Sequence, residues 1–220
     1  MKFLYDLRAG ELNLEIKGEN YKHLKALRYR LGDILELRNL KDTKSYKYKI
    51  SNLNKTANLE LISSYEVQNL PLNLKFAWAV VDTNEIQKAL PILNELGVGE
   101  IIFVYSDFSQ KNIRLNLDRF QRILIASSQQ CGRHGVIKFS ILNSSDELKQ
   151  IYKNIALVDF GGDDLRANLS NLNDQILFIG PEGGFSDRER NLFENKFAFK
   201  TNHILRSTSA IIALGAMFLA

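Results

Sequence analysis

Gln175-Ile176-Leu177-Phe178-Ile179-Gly180-Pro181-Glu182-Gly183-Gly184-Phe185-Ser186-Asp187-Arg188-Glu189 is the stretch on which the fold turns. After Gln175 it opens with a short apolar run, as expected of a strand buried on both faces. Three glycines and Pro181 then break that strand and allow a tight backbone turn. Ser186-Asp187-Arg188-Glu189 has the spacing of a capping box, in which hydroxyl and carboxylate satisfy the free N–H groups of a first helical turn; a helix is therefore predicted after Ser186. A similar unit follows. Phe197 to Leu205 is predicted to be a strand and Ala210 to Leu219 an apolar helix, with a hydroxyl among Ser207, Thr208 and Ser209 as its N-cap. In a parallel sheet both strand-to-helix loops emerge at the carboxyl edge, where open α/β proteins bind ligands.

Upstream the alternation continues. Leu74 to Val81 and Ile101 to Tyr105 are apolar runs separated by a helical pattern from Asn84 to Leu96 that stops at Gly97. An amphipathic helix is predicted over Leu117 to Gln130, another helix over Asp146 to Lys153, and a strand over Ile155 to Asp159. Before Pro71 the style changes to short alternating segments, Phe3–Leu7, Asp33–Leu37, Tyr46–Leu53 and Ala57–Ser64, with one helical stretch from Asn20 to Arg30. Two domains are expected, residues 1–70 and 71–220.

The 220 residues are 45% hydrophobic and 25% charged, enough to bury a core and too apolar for a disordered chain. Cys131 has no partner for an intrachain disulfide, which fits a reducing cytoplasm. No apolar stretch approaches the roughly 18 residues of a membrane span, and charges interrupt Met1 to Arg8, so a cytoplasmic protein without an export signal is expected. No Cys/His cluster suggests a metal. The net charge of +4 is unevenly distributed: residues 1–70 hold 13 basic against 9 acidic side chains, whereas the remainder is balanced. Such a surplus attracts a polyphosphate, and Tyr29, Tyr46 and Tyr48 lie among the lysines where they could stack on bases; an ordinary lysine-rich surface with packed tyrosines accounts equally for the pattern.

The glycine loop lacks a following lysine, a G-x-G-x-x-G spacing and a Walker pattern, and Glu182 puts a carboxylate where a phosphate would sit. That disfavours a nicotinamide dinucleotide. Ribose hydroxyls, an amino group or a sulfonium would suit it better, although a plain glycine turn with a solvent-facing glutamate has the same signature.

Ile179-Gly180-Pro181-Glu182-Gly183-Gly184-Phe185-Ser186, followed by Ile204-Leu205-Arg206-Ser207-Thr208-Ser209-Ala210, resembles the paired cofactor signatures of the ribosomal-RNA uridine N3-methyltransferases of the SPOUT superfamily. Glu95-Leu96-Gly97-Val98 with Glu100-Ile101, Gln130-Cys131-Gly132-Arg133, and His23-Leu24 with Leu27-Arg28 and Gly32-Asp33 are similar to further segments of that family, in the same order. The resemblance implies an α/β protein with an N-terminal PUA-like β-barrel (1–70), then a parallel-sheet SPOUT domain (71–220) with a C-terminal trefoil knot over about 176–215. It also implies a homodimer, S-adenosylmethionine as methyl donor, and a uridine of 16S rRNA in the small ribosomal subunit as acceptor, with neither metal nor membrane involved. Ile179, Gly180, Pro181, Glu182, Gly183, Gly184, Leu205, Ser207, Ser209 and Ala210 would hold the cofactor; His23, Lys25, Arg28, Arg30 and Arg133 would hold RNA.

Methylation at N3 requires that uridine lose its N3 proton, which spreads negative charge onto O2 and O4; a fixed cation there stabilises it. Arg206 is the first candidate for that catalytic role and Arg133 the second. Three positions depart from the family pattern: Thr208 replaces a glutamate, Ile92 a lysine and Phe108 an arginine. The lost carboxylate motivates an alternative, a catalytically impaired RNA-binding protein of the same fold. His23 and His203 are further possible contacts, although lone histidines are more often structural.

Overall fold

A computed structural model of the chain describes residues 1–67, 74–172 and 174–219. They fall into two compact units, Met1–Leu70 with Ile125–Val136, and Pro71–Leu124 with Ile137–Ala220. The expected change of style at Pro71 lies outside the described residues.

The first unit contains β1 (Leu4–Tyr5), β2 (Asn13–Ile16), α1 (Gly18–Ala26), β3 (Ile34–Arg38), β4 (Lys44–Leu53) and β5 (Ala57–Glu66). Its sheet runs β1-β3-β4-β5-β2, antiparallel except for the β1–β3 pair. The period-2 pattern explains the strands: Leu14 and Ile16 on β2, Leu35 and Leu37 on β3, Tyr48 and Ile50 on β4 and Ala57 and Leu59 on β5 point into one core, joined by Leu24 of α1. Tyr48 is part of that core, its hydroxyl accepting from Gly10 N at 2.8 Å and donating to Glu11 O at 2.7 Å, so it cannot stack on a base. Tyr46 is half-buried and donates to Asp42, and burial together with that carboxylate pushes its phenol up to about 12. Residues 125–136 join this unit because Gln129 accepts from Tyr5 N through its side chain and from Lys2 N through its carbonyl, both at 2.7 Å, and because Arg38 donates to Gly132 O at 2.9 Å. Helix α1 stops before the predicted Arg30, since Arg28 takes a left-handed φ of 62° and turns the chain.

The second unit begins with β6 (Lys75–Ala79), α2 (Thr83–Glu95), β7 (Glu100–Val104) and α3 (Leu117–Cys131), whose last turns belong to the first unit. It continues through β8 (Lys138–Leu142), α4 (Ser145–Ile151), β9 (Ile155–Asp164), β10 (Ile176–Ile179), α5 (Asp187–Leu192), β11 (Asn195–Ala198) and α6 (Ser207–Met217). All six strands are parallel, in the order β11-β9-β10-β6-β7-β8. The central strands are buried on both faces, as their unbroken apolar runs require; every residue of β10 is buried. Ala77, Ala79, Ile102, Val104, Leu157 and Phe178 pack with Phe185 and Phe193 in one cluster. Trp78, Phe103 and Phe120 contact one another in succession at tilted angles, with ring centroids 6.1 and 5.9 Å apart. Helix α6 packs on α2, where Gly215 lies against Leu93 and Leu96 so closely that an added Cβ would sit 3.3 Å from a Leu96 methyl.

Candidate functional site

A cavity of about 310 Å³ opens at the carboxyl edge of β9 and β10, of a size that suits a small-molecule ligand. Three segments wall it. The first is the loop after β10, Gly180 to Phe185. It turns at Gly184, which has φ +70°, a conformation that favours glycine, and ends on the predicted capping box, with Glu189 N donating to Ser186 Oγ at 3.1 Å and Ser186 N to Glu189 Oε2 at 3.0 Å.

The second wall is the segment leading into α6, with Thr201, His203, Ile204, Leu205, Ser207 and Ala210. The strand expected over Phe197 to Leu205 ends at Ala198: Lys200-Thr201-Asn202-His203 is polar, and the chain leaves the sheet edge to form this wall. The expected hydroxyl N-cap is also absent. Arg206 occupies the N-cap without a side-chain cap bond, and Ser207 is already helical. The Ser207 hydroxyl is engaged elsewhere, accepting from Trp78 Nε1 at 2.8 Å and donating to Gly180 O at 2.5 Å. One buried oxygen thus ties the two candidate cofactor loops to each other and to β6.

The third wall had no motif. Leu157 pairs with Lys196 and the next register pair is Asp163 with Phe197, so residues 158–162 bulge out of the β9–β11 ladder. The return is possible because position 162 is glycine: a Cβ there would lie 2.7 Å from the backbone of Lys196 and Phe197. The bulge carries Val158, Asp159 and Phe160 to the cavity. Asp159, whose side chain is only 5% exposed, holds Arg190 Nε at 2.7 Å, and Asp187 holds Arg190 Nη1 at 3.3 Å. The hydrogen bond to Asp159, ahead of its charge, raises the Arg190 pKa above its ordinary value. The cavity therefore presents backbone amides, apolar side chains, the exposed Glu182 carboxylate and a guanidinium already paired with two carboxylates. That set favours a neutral or cationic guest with hydroxyl or amino groups over a phosphate.

Of the residues proposed for a cofactor, Ile179, Gly180, Pro181, Glu182, Gly183, Gly184, Leu205, Ser207 and Ala210 line the cavity together; Ser209 does not. Arg206 is exposed beside it, outside the lining, with no ion pair among the described residues. His203, considered only as a possible contact, is on the wall. Asp159 could have been found as the last residue of the strand expected over Ile155 to Asp159, the edge where ligands bind; Arg190, Phe160 and Phe199 had no such signal. His23, Lys25, Arg28 and Arg30 are exposed on α1 and the turn after it, in the first unit. Arg133, in the same unit, is half-buried, and desolvation pushes its guanidinium below the ordinary value. No group of three metal-ligating side chains occurs among the described residues, and no helix among them is long and apolar enough to cross a membrane.

Residues 68–219 match the family model for an RNA methyltransferase domain, and residues 16–59 match that for an RNA methyltransferase PUA domain. The chain is 34% identical over 225 residues to ribosomal RNA small subunit methyltransferase E of Helicobacter pylori, covering 99% of each. It is 35% identical over 159 residues to the protein of that name from Mesomycoplasma hyopneumoniae, covering 66% of this chain and 69% of the other. Among solved structures, ribosomal RNA small subunit methyltransferase E of Neisseria gonorrhoeae, bound to S-adenosylmethionine, superposes with a TM-score of 0.81 at 22% identity, covering 98% and 95% of the two chains. A Legionella pneumophila protein in complex with the same cofactor gives 0.77 at 24%, covering 99% and 95%.

Proposed function

Since the chain belongs to the RNA methyltransferase family that includes ribosomal RNA small subunit methyltransferase E, we propose that it transfers a methyl group from S-adenosylmethionine to N3 of a uridine in 16S rRNA of the small ribosomal subunit. The observation that carries this reading is the cavity itself, in which two loops are joined through Ser207 around an acid-bearing, glycine-lined space. Bound there, the cofactor supplies an electrophilic methyl group on a sulfonium. Ile179 to Gly184, Leu205, Ser207 and Ala210 would hold it, with Glu182 favouring its positive charge.

Arg206, exposed and without a carboxylate partner among the described residues, would stabilise the charge that develops on the uridine O2 and O4 as N3 is deprotonated. Arg133 is the second candidate for contact with the base or its phosphate. His23, Lys25, Arg28 and Arg30 give the first unit a phosphate-binding surface of low sequence selectivity. Ser209, outside the cavity lining but within one helical turn of Ser207 and Ala210 in α6, remains a proposed cofactor contact. The position of β10 between β6 and β9, with α6 returning to α2, supports a trefoil knot over about 176–215. The exposed Leu219 and half-buried Met217 and Phe218 at the end of α6 support a homodimer, and the site of action would be the cytoplasm.

The test is to incubate the chain with labelled cofactor and small subunits from cells lacking the modification, then identify the modified nucleoside by mass spectrometry. N3-methyluridine is expected. Because Thr208 departs from the glutamate that the family resemblance implies there, a non-catalytic RNA-binding protein is the second reading; tight subunit binding without methyl incorporation would establish it in place of the first.

A further inference from the structure

Glu189 is fully buried, and its capping role uses one oxygen only, Oε2, which accepts from Ser186 N. The other oxygen serves two donors that have no part in the helix. Oε1 accepts from Asp107 N at 3.1 Å, in the loop after β7, and from Ser145 Oγ at 2.5 Å, in the first turn of α4 after β8. Ser145 is itself fully buried, and the cap of α4 is made by Ser144 instead, so its hydroxyl is given over to Glu189. Three strand-to-helix connections, following β7, β8 and β10, therefore end on one carboxylate. Nearer the surface Arg188 repeats the linkage, donating to Asp107 at 2.8 Å and to Asp146 at 2.7 Å, while Ser186 Oγ donates to Asp107 at 2.5 Å.

The consequence reaches the cavity through Phe108. It follows Asp107, and a Cβ placed on Gly183 would lie 3.3 Å from the Phe108 Cβ and 3.6 Å from its ring Cδ2, so the loop after β7 braces the middle of the glycine loop through the ring as well as the Cβ. Burying a carboxylate is costly unless its oxygens are all engaged, and a cap alone would not need it. We propose that Glu189 is a positioning residue for the methyl-donor cavity: by seating Asp107 N and Ser145 Oγ it holds Phe108 against Gly183 and fixes the shape of the Gly180–Phe185 loop. The inference rests on the assignment of that cavity to S-adenosylmethionine. Glutamine cannot replace the group, because whichever way its amide is turned an NH2 faces a backbone N–H donor.

The experiment compares the full-length wild-type chain with Glu189→Gln and Phe108→Ala. It uses calorimetry with S-adenosylhomocysteine and steady-state methylation of small subunits with cofactor and RNA varied separately. Misplacement of the loop predicts a cofactor Kd and KM raised about tenfold in Glu189→Gln and about threefold in Phe108→Ala, with kcat at saturating cofactor and the KM for subunits within about twofold of wild type. Wild-type cofactor affinity in folded Glu189→Gln overturns the inference, as does a parallel fall of kcat and RNA affinity, the mark of a merely structural defect. Should Glu189→Gln fail to fold, Phe108→Ala decides alone, since it alters an exposed side chain; unchanged affinity there is equally fatal. No binding to the wild-type chain would instead remove the cavity assignment, and the inference with it.

Discussion

Replacing Ser207 with alanine removes one oxygen and strands two groups. The Trp78 indole N–H, on a fully buried ring, loses its acceptor at 2.8 Å, and the Gly180 carbonyl, also buried, loses its donor at 2.5 Å. Each unsatisfied buried group costs roughly 1–3 kcal/mol, so Ser207→Ala should destabilise the sheet unit by about 2–6 kcal/mol. For a chain of this length that lowers its melting temperature by roughly 5–25 °C. The assignment to a particular bond is tested by a double-mutant cycle with Trp78→Phe, read by thermal and denaturant unfolding. Trp78→Phe carries its own cost from lost volume, which cancels in the cycle. In the double variant no N–H is left to strand, so the loss should fall short of the sum of the singles by about 1–2 kcal/mol. Additivity within about 0.5 kcal/mol would refute the claim that this hydroxyl joins the loops to β6.

Gly183→Val sets a branched side chain against Phe108 and should weaken S-adenosylhomocysteine binding by about a hundredfold in calorimetry, the scale of an ångström-sized misplacement. Arg206→Ala should lower kcat by about a hundredfold while cofactor affinity moves less than about twofold; the reverse split in steady-state kinetics would mean that its role is misassigned. Arg28→Gly relieves a left-handed non-glycine residue, so denaturant unfolding should show a gain of about 0.5–1 kcal/mol, while the salt dependence of RNA binding should lose roughly one unit of slope. Hydrogen bonds from Arg188, then Ser186, hold the Asp107 pKa below its ordinary 3.8. Its contribution is therefore complete above that value and lost as pH falls through the lower folded-state pKa, so Asp107→Asn should flatten the loss of melting temperature at pH below about 4.

The parts of the fold legible in the sequence were those whose signal is local. The capping box Ser186–Glu189 and the apolar runs that became β6, β7 and β10 each carry their pattern within a few residues. Edge strands were harder. β8 mixes exposed and half-buried residues with the single buried Leu142, and β2 is a four-residue alternation among polar neighbours, so neither carries a clear strand signal. Two walls of the cavity follow from glycine and hydroxyl motifs. The third depends on the bulge of β9 against β11 and on the Asp159–Arg190 pair, relations between distant residues that no spacing rule encodes. Ser207 lines the cavity, but its hydroxyl is occupied by tertiary partners in place of the helix cap that its position suggests. The convergence on Glu189 was invisible for the same reason: a capping box predicts one of its oxygens and is silent about the other.

The strand at the middle of the six-stranded sheet is among the last to be synthesised. β10 joins β6 to β9, yet Phe76 and its partner Leu177 are about a hundred residues apart in the chain. While a ribosome is making the intervening segment, β6, β7 and β8 can assemble, but one flank of β6 stays open with its hydrogen-bonding groups unmatched. Nascent chains therefore pass through a long interval in which the centre of the future sheet is a sticky border, and a stall or truncation anywhere between residues 105 and 175 leaves a product prone to pair with its neighbours instead of with itself.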